Sequence, residues 1–260
     1  MRLKDKKNIA IAVLAVIALF QFVLIISLWP RKAIIVKPPP KLPKVAIVID
    51  DWGYNLTHIG LIRGLGLPLN LAILPNLSYS RQTAQIARDN DWQVILHLPM
   101  QPQELSLRLE KDTILTKMDE NSIIRIFQKD TKSVPYIRGV SNHMGSRATQ
   151  DIWVMSVIFK QLKKYNFYFL DSFVTVNSVC SRLAKKEGVR YTRRDVFLDN
   201  KEDSKYIKDM LEELIDVAKE NGQAVGIGHN LKTTLQVLKE ELPKFKDKGI
   251  NLVLVSDLLK

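Results

Sequence analysis

Carboxylate and imidazole side chains recur at the ends of short apolar runs in this 260-residue chain. Asp50 and Asp51 follow the run VAIVI, and three of the four histidines, His97, His143 and His229, also lie at or just after such runs. A carboxylate with two imidazoles suits a divalent ion such as Zn²⁺, whose catalytic sites use three protein ligands and keep one position for water. Such an ion lowers the pKa of water to ~7, so these residue types indicate metal-assisted hydrolysis.

Each of these residues also has a structural interpretation. An Asp pair after a strand can cap the next helix, and His97 could be a satisfied core histidine. His143 lies in GVSNHMGSRAT, where glycines and asparagine predict an irregular backbone around it. Asp171, which follows the run FYFL, has structural and functional readings of equal weight. The joint occurrence of these side chains at the ends of runs is therefore what predicts one shared site.

Short β-rich runs alternate with stretches of helical periodicity after residue 44, which is typical of a parallel α/β fold. The strand runs are 45–49, 69–74, 93–98, 136–140, 167–170, one near 189, 224–228 and 251–255, and the clear helical stretches are 79–90, 119–132, 150–164, 204–220 and 231–242. An open doubly wound sheet and a barrel share this alternation. Polar residues after at least five runs favour a deformed (β/α) barrel of about seven to eight parallel strands, because barrels use many strand ends for one site.

The charge of the chain is concentrated at its N-terminus. The formal net charge is +12, but residues 1–44 hold nine Lys or Arg against one acid, which leaves a net +4 for residues 45–260. The body is therefore only mildly basic, and no nucleic-acid partner is expected. The single cysteine, Cys180, excludes a disulfide within the chain.

A membrane anchor is expected before the body. Residues 9–29 form an apolar run of 21 residues, close to the ~20 that cross a bilayer as a helix. A cleaved signal peptide would have a shorter apolar region and a small-x-small site, which this run lacks. A basic tail (1–8) precedes it and a Pro/Lys-rich linker (30–44) follows. Because bases flank both ends of the run, they do not decide its orientation.

Six segments, in this order and spacing, resemble the divergent polysaccharide deacetylase family: VAIVIDDWGYN, ILHLPMQP, GVSNHMGSRAT, FYFLDS, RRDVFLDN and AVGIGHN. The resemblance extends over about residues 44–260. It implies the deformed, NodB-like (β/α) barrel of the wider carbohydrate-esterase and glycoside-hydrolase/deacetylase superfamily.

The resemblance also implies roles for single residues. It makes Asp50 the catalytic base, Asp51 a metal ligand and His229 the histidine that serves the leaving group. The superfamily usually completes its metal site from an HxxxH motif, which this sequence lacks, so His97 and His143 are the expected ligands by position. The ion is expected to be zinc or another divalent metal.

Further residues are expected around this centre. Asp171 is a candidate to orient one of the histidines, and the expected substrate-binding residues are Trp52, Tyr54, Asn142 and Arg147. Two positions depart from the family pattern: Gln101 stands where Glu is common after LPM, and Asn230 follows the late histidine where Pro is common.

The sequence thus predicts a membrane-anchored, metal-dependent hydrolase that removes acetyl groups from N-acetylated sugars of an envelope polysaccharide or peptidoglycan. The body is expected outside the cytoplasm, where such glycans lie. The missing HxxxH motif and Gln101 leave open a catalytically silent barrel that binds glycan or an envelope protein as a scaffold. A metal-free glycosidase that uses Asp50 or Asp51 with Asp171 is a third hypothesis. The sequence gives no indication of oligomeric state.

Overall fold

A computed structural model describes residues 3–28, 42–104 and 106–259, and the chain divides into two units at Lys41. The first unit contains helix α1 (Leu3–Leu28), which is long and apolar enough to cross a membrane, with a mean hydropathy of 3.1. A signal sequence would have the same properties. The apolar side chains of α1 are exposed on every side of the helix. The apolar run predicted at residues 9–29 is helical in α1 up to residue 28, whereas Trp29, linker residues 30–41 and tail residues 1–2 lie outside the described residues.

The second unit, which we call the body, is built on one parallel sheet. Its strands are β1 (Lys44–Trp52), β2 (Asn70–Ile73), β3 (Gln93–Met100), β4 (Ile137–Met144), β5 (Tyr168–Asp171), β6 (Tyr191–Arg193), β7 (Val196–Phe197), β8 (Gln223–His229) and β9 (Asn251–Leu252). The strand order is β6-β5-β4-β3-β2-β1-β8-β7, and β9 pairs with the start of β1. The carboxyl ends of all these strands therefore lie at one end of the sheet, as the sequence predicted.

The sheet is curled, and the backbone between β6 and β7 closes the gap between its two edges. Strands β6 and β7 lie at the two ends of the strand order and do not pair with each other in the part of the chain that the structure describes. The dipeptide between them bridges the gap, since the amide of Arg194 donates to Asp171 of β5 and that of Asp195 donates to Val225 of β8. The predicted deformed barrel is thus confirmed as a curled parallel sheet that is closed by backbone rather than by a full ladder.

Helices cover the outside of the sheet. They are α2 (Ile59–Ile62), α3 (Ser80–Asp89), α4 (Glu120–Ser133), α5 (Ile152–Tyr165), α6 (Cys180–Glu187), α7 (Ser204–Asn221) and α8 (Lys232–Glu241). Asp119, Asp151 and Asp203 cap α4, α5 and α7 by accepting from amides of the first turn. The five predicted helices are present to within a few residues, while α2 and α6 were not predicted.

Alternate residues of β1 pack into two different hydrophobic clusters, as the period of a strand requires. Val45, Ile47 and Ile49 belong to the large cluster between sheet and helices, whereas Ala46 and Val48 belong to a smaller cluster inside the curl. Every residue of both clusters lies in the body. The body therefore has a complete core of its own and can fold without α1.

Candidate active site and metal centre

Four strands deliver the predicted chemical groups to one end of the curled sheet. Asp50 pairs in register with His229 on the neighbouring strand, and His97 pairs with Ser141. Ser141 and His143 are two residues apart on β4, so their side chains point to the same side of the sheet as His97. The alternation of β1 places Asp50 on the inner side, in line with Ala46 and Val48.

An irregularity in β1 brings Asp51 to the same place. A regular strand would point Asp50 and Asp51 to opposite faces. The register of β1 shifts between Ile49 and Trp52, and Asp51 has a left-handed backbone with φ of 63°. Aspartate tolerates this conformation better than most residues. Both carboxylates consequently reach His97, whose Nε2 is 3.5 Å from Asp50 Oδ2 and 3.3 Å from Asp51 Oδ1.

Asp51, His97 and His143 form a cluster suited to a metal ion. Their ligand atoms lie within 4.8 Å of one another, with Asp51 Oδ1 3.3 Å from His97 Nε2 and 3.0 Å from His143 Nδ1. Ligand atoms of a tetrahedral zinc site with bonds of about 2.0–2.1 Å are themselves about 3.3 Å apart. The imidazole rings have centroids 5.0 Å apart and planes at 71°, so that both nitrogens converge on the carboxylate.

The carboxylate oxygen at the centre of this cluster supports the same interpretation. Asp51 Oδ1 is buried and has no well-directed hydrogen bond from the described residues, although two nitrogens are close to it. A cation would satisfy this atom. The other nitrogen of His97, Nδ1, lies 2.8 Å from Ser141 Oγ, which fixes the ring with Nε2 facing the cluster. The residues present therefore fit a divalent cation.

Burial and charge set the protonation of the two aspartates differently. Burial alone would raise the pKa of Asp51, but contacts with His143 and His97 outweigh it and hold that pKa well below its ordinary value. Burial raises the pKa of Asp50, only partly offset by His97. One carboxylate is thus kept ionised, as a ligand must be, while the other has the higher proton affinity that a base requires.

His229 is held by a carboxylate that the sequence analysis did not single out. Asp199, two residues after the end of β7, accepts through Oδ1 from His229 Nδ1 at 2.9 Å and through Oδ2 from the His229 amide at 2.7 Å. Thr234 Oγ1 donates to the same Oδ2. Burial would lower the pKa of His229, but Asp199 raises it to about 9. His229 therefore stays protonated at neutral pH, with Nε2 left for another partner.

Asp171 does not orient a histidine. Its Oδ1 accepts from the amide of Phe173, and its Oδ2 accepts from Ser178 and Tyr191 hydroxyls. The carboxylate is completely buried and organises the loop after β5. The orienting role expected of Asp171 is filled by Asp199 instead.

The expected substrate-binding residues separate into buried and exposed ones. Trp52 is fully buried, so its ring cannot stack on a sugar, and Asn142 is used internally, donating to Met144 O and accepting from the Ser172 amide. Tyr54 is 49% exposed, contacts Glu110 and lines a cavity of about 530 Å³. Arg147 is exposed beside Thr116. Only Tyr54 and Arg147 are therefore available to a ligand.

The two departures from the family pattern have structural explanations. Gln101 lies outside the cluster and accepts through Oε1 from both the amide and the hydroxyl of Thr116, bonds that a carboxylate could also accept. The amide of Asn230 donates to the carbonyl of Asp50 at 3.1 Å, a bond that proline could not form. Asn230 thus ties the end of β8 to the base-bearing end of β1.

His143 itself lies in strand β4, and the irregular backbone expected around it begins at the next residue. Strand β4 continues through His143, and the left-handed residues are the next two, Met144 and Gly145, with φ of 53° and 90°. The strand rather than a loop therefore positions this ligand.

Comparisons with known proteins agree with the fold. A family model described as divergent polysaccharide deacetylase matches residues 47–259. The uncharacterized protein YibQ of Escherichia coli strain K12 is 36% identical over 217 residues, which are 83% of this chain and 67% of that protein. An uncharacterized protein of Agrobacterium tumefaciens C58 superimposes with a TM-score of 0.81 and 23% identity, over 85% of this chain and 91% of its own. A family 4 carbohydrate esterase from Streptomyces lividans, in complex with acetate, has a TM-score of 0.50 and 13% identity, over 83% and 94%.

Proposed function

The chain belongs to the divergent polysaccharide deacetylase family, and from that premise we propose that it is a metal-dependent hydrolase that removes acetyl groups from N-acetylated sugars of an envelope polysaccharide or peptidoglycan. The observation that carries the proposal is the convergence of Asp51 Oδ1, His97 Nε2 and His143 Nδ1 within 4.8 Å, directly beside Asp50. The absence of an HxxxH motif does not prevent this convergence, because β3 and β4 are neighbours and each supplies one histidine.

Asp51, His97 and His143 would hold the divalent cation. Bound there, it would act as a Lewis acid toward the amide carbonyl and toward water. The side chains of the protein do the rest of the chemistry. Asp50, buried with one oxygen free of hydrogen bonds to described residues, accepts the proton of the attacking water.

His229 supplies the proton that the leaving nitrogen needs. Attack of water on the acetamide carbon forms a C–O bond, and cleavage of the C–N bond then releases acetate and the sugar amine. An amine leaves only if its nitrogen is protonated, and His229, with its pKa at about 9, carries that proton at neutral pH. Asp199 stabilises the imidazolium and fixes which nitrogen faces the substrate.

The N-terminal helix is proposed as an uncleaved membrane anchor that keeps the body on the outer side of the membrane, where envelope glycans lie. The length and hydropathy of α1 support an anchor. A reporter enzyme that works only outside the cytoplasm, fused after Lys260, is expected to be active. Activity of a reporter that works only in the cytoplasm would contradict this orientation.

The catalytic proposal is tested by acetate release from chitin oligomers, with the body (42–260) and added Zn²⁺. We expect acetate and free amine in equal amounts, and a loss of at least about 100-fold for Asp50→Asn and for His229→Gln. The matched control is Asp195→Asn, because the carboxylate of Asp195 accepts from the amide of Val225 and contacts neither Asp50 nor a site histidine, so this variant should keep the activity. New reducing ends without acetate would indicate a glycosidase, and oligomer binding without either product would indicate a scaffold.

A further inference from the structure

The end of the body opposite the candidate active site carries an excess of positive charge. In a parallel sheet with crossover helices, helix ends and strand starts lie together at this end. Four of the connections there, residues 88–92, 132–138, 163–167 and 185–190, contain eight Lys or Arg and three acids. They hold a net +5, which equals the net charge of the whole body (42–260), so the rest of the body has no net charge. We call these four connections the basic face.

Two adjoining cavities open on the basic face. One, of about 640 Å³, is lined by Arg88, Tyr136 and Arg138 together with one acid, Asp91, and the other, of about 450 Å³, by Arg138, Tyr165 and Arg190. Arg138 is common to both. The walls thus combine guanidinium groups with tyrosine rings, which have an apolar body and a polar tip.

The arginines of the basic face have no carboxylate partner among the described residues. Arg88 lies over the ring of Tyr136 at 4.4 Å, and Arg190 donates to the carbonyl of Asn166 at 3.1 Å. Neither of them, nor Arg138, forms an ion pair with any described acid. Apart from the Arg190 nitrogen that is bound to Asn166, their donors are therefore left for an external anion.

Helix dipoles explain only part of this charge. Bases in the last turn of a helix are favourable, which accounts for Arg88 on α3 and for lysines that end α4, α5 and α6. Arg190, just before β6, donates to the carbonyl of Asn166, the C-cap of α5, so a helix end accounts for it as well. Arg138 lies inside strand β4, where no helix ends, and the dipole does not require a base at this position.

We propose that the basic face binds the phosphate headgroups of anionic membrane lipids. Arginine binds phosphate bidentately, and clustered bases next to a membrane are attracted by its anionic lipids. The polypeptide enters the body at this same end, because β1 begins at Lys44. The preceding unit contains an apolar helix that can cross a membrane, which favours lipid over a soluble polyanion as the occupant. This contact would leave the opposite end, with the candidate active site, directed toward the envelope.

The test measures co-sedimentation of the body (42–260), which lacks α1 and so binds no membrane through it. Vesicles contain either phosphatidylcholine alone or two parts of phosphatidylcholine to one of phosphatidylglycerol. We expect binding to the anionic vesicles at least about tenfold tighter than to the neutral ones, and release by high salt. Equal binding to both, or binding that resists salt, would overturn the proposal.

Three variants locate the binding on the protein. Arg88→Glu, Arg138→Glu and Arg190→Glu combined should reduce binding at least about tenfold, whereas replacing the same three arginines by lysine should retain most of it. A control with the same change of charge, Lys117→Glu, Lys201→Glu and Lys205→Glu, alters the opposite end and should bind like the wild type. Loss of binding in this control, or none in the arginine-to-glutamate variant, would refute the assignment. The salt dependence of the unaltered body tests the electrostatic contact even if that variant does not fold.

Discussion

His229 and Asp199 form a hydrogen-bonded ion pair at 2.9 Å in the candidate site. The imidazolium is stabilised in spite of partial burial, because Asp199 binds both the ring and the backbone amide of His229. Asp199 is itself sealed from solvent and has a pKa below its ordinary value, since hydrogen bonds from His229 outweigh burial. The pair therefore carries one positive and one negative charge throughout the neutral range.

Asp199→Asn should move the alkaline limit of activity. In the wild type, His229 loses its proton near pH 9, so kcat/KM for acetate release should fall as the pH rises through that value. Without the carboxylate, burial lowers the pKa of His229 to ~6.5 or below, and activity at pH 8 should drop at least about 30-fold. A pH–rate profile checks this. Asp195→Asn is the control, because its carboxylate accepts from the amide of Val225 and should leave the limit near pH 9. An unchanged limit in Asp199→Asn would show that His229 is not the acid.

The same pair predicts how stability depends on pH. The pKa of His229 is raised on folding, so its contribution to the free energy of unfolding is complete below ~6.5 and is lost as the pH rises through about 9. His229→Gln lacks this contribution at every pH. The melting temperatures of the wild type and His229→Gln should therefore differ less at high pH than at neutral pH.

Gln101→Glu should leave the activity nearly unchanged. The side chain lies outside the catalytic cluster, and both of its hydrogen bonds, from the amide and hydroxyl of Thr116, end on Oε1, which a carboxylate would also offer. We expect kcat/KM for acetate release within about twofold of the wild type. An increase of about tenfold or more would mean that the missing acid matters to catalysis and that position 101 belongs to the site.

At the scale of elements, the curl of the sheet depends on a close contact between β4 and β5. Gly139 faces Tyr168, and a Cβ at Gly139 would overlap the tyrosine ring. That ring is fully buried inside the curl, where its hydroxyl donates to Gln93 Oε1 at 2.7 Å. Glycine is therefore required here by packing and not by a left-handed backbone.

Gly139→Ala should destabilise the body by about 1–3 kcal/mol, the usual cost of overfilling a packed core. Chemical denaturation of the body measures it. Gly60 in α2 provides the control, because it has open space around it, and Gly60→Ala should be neutral or slightly stabilising. Equal stability of Gly139→Ala and the wild type would show that Tyr168 can move without cost.

Helix α4 contacts the loop after β2 through a buried acid. Asp130 Oδ1 accepts from Asn76 Nδ2 at 2.6 Å, and Oδ2 is buried without a partner among the described residues. Burial raises the pKa of Asp130 to about 7, although the bond from Asn76 acts against it. Asn76 has a left-handed backbone with φ of 58°, so this contact also holds a constrained turn.

Asp130→Asn should make the body more stable above pH 7. The folded state binds the proton of Asp130 more tightly than the unfolded state, so the wild type loses stability as the pH rises from ~4 to about 7. The amide carries no charge and should remove this loss, giving a gain on the order of a few kcal/mol at pH 8. Denaturation at pH 5 and pH 8 checks it, with the exposed Glu220→Gln as control. A gain that is the same at both pH values would contradict the explanation.

At the scale of the whole molecule, the sequence predicts the architecture better than the surroundings of the site. Apolar runs report strands directly, and residues 45–49, 93–98 and 224–228 all lie in parallel strands of one sheet. Strand period and direction bring the ends of these strands together, which is why a shared site could be inferred from residue types alone. The short helices α2 and α6 have too few turns to show a clear period.

The partners of the site residues could not be predicted, because they depend on packing between distant segments. Asp171 and Asp199 both follow apolar runs, yet only Asp199 meets a histidine. Trp52 directly follows the aspartate pair and was therefore expected to contact substrate at the surface. The shift in β1 that brings Asp51 inward also leaves Trp52 fully buried. The sequence signal that could have indicated Asp199 is its position directly after the apolar run VFL (196–198). The strand in this run, β7, pairs with β8, which carries His229.

The most direct test of the account is the stoichiometry of divalent metal on the body (42–260), measured by equilibrium dialysis followed by elemental analysis. We predict about one ion per chain for the wild type and for Asp130→Asn, which removes a buried carboxylate that is bonded to Asn76 and to none of the three ligands, and less than about one tenth for Asp51→Asn. Full occupancy in Asp51→Asn, or none in the wild type after dialysis against zinc, cobalt, nickel and manganese, would contradict the claim that Asp51, His97 and His143 hold the ion.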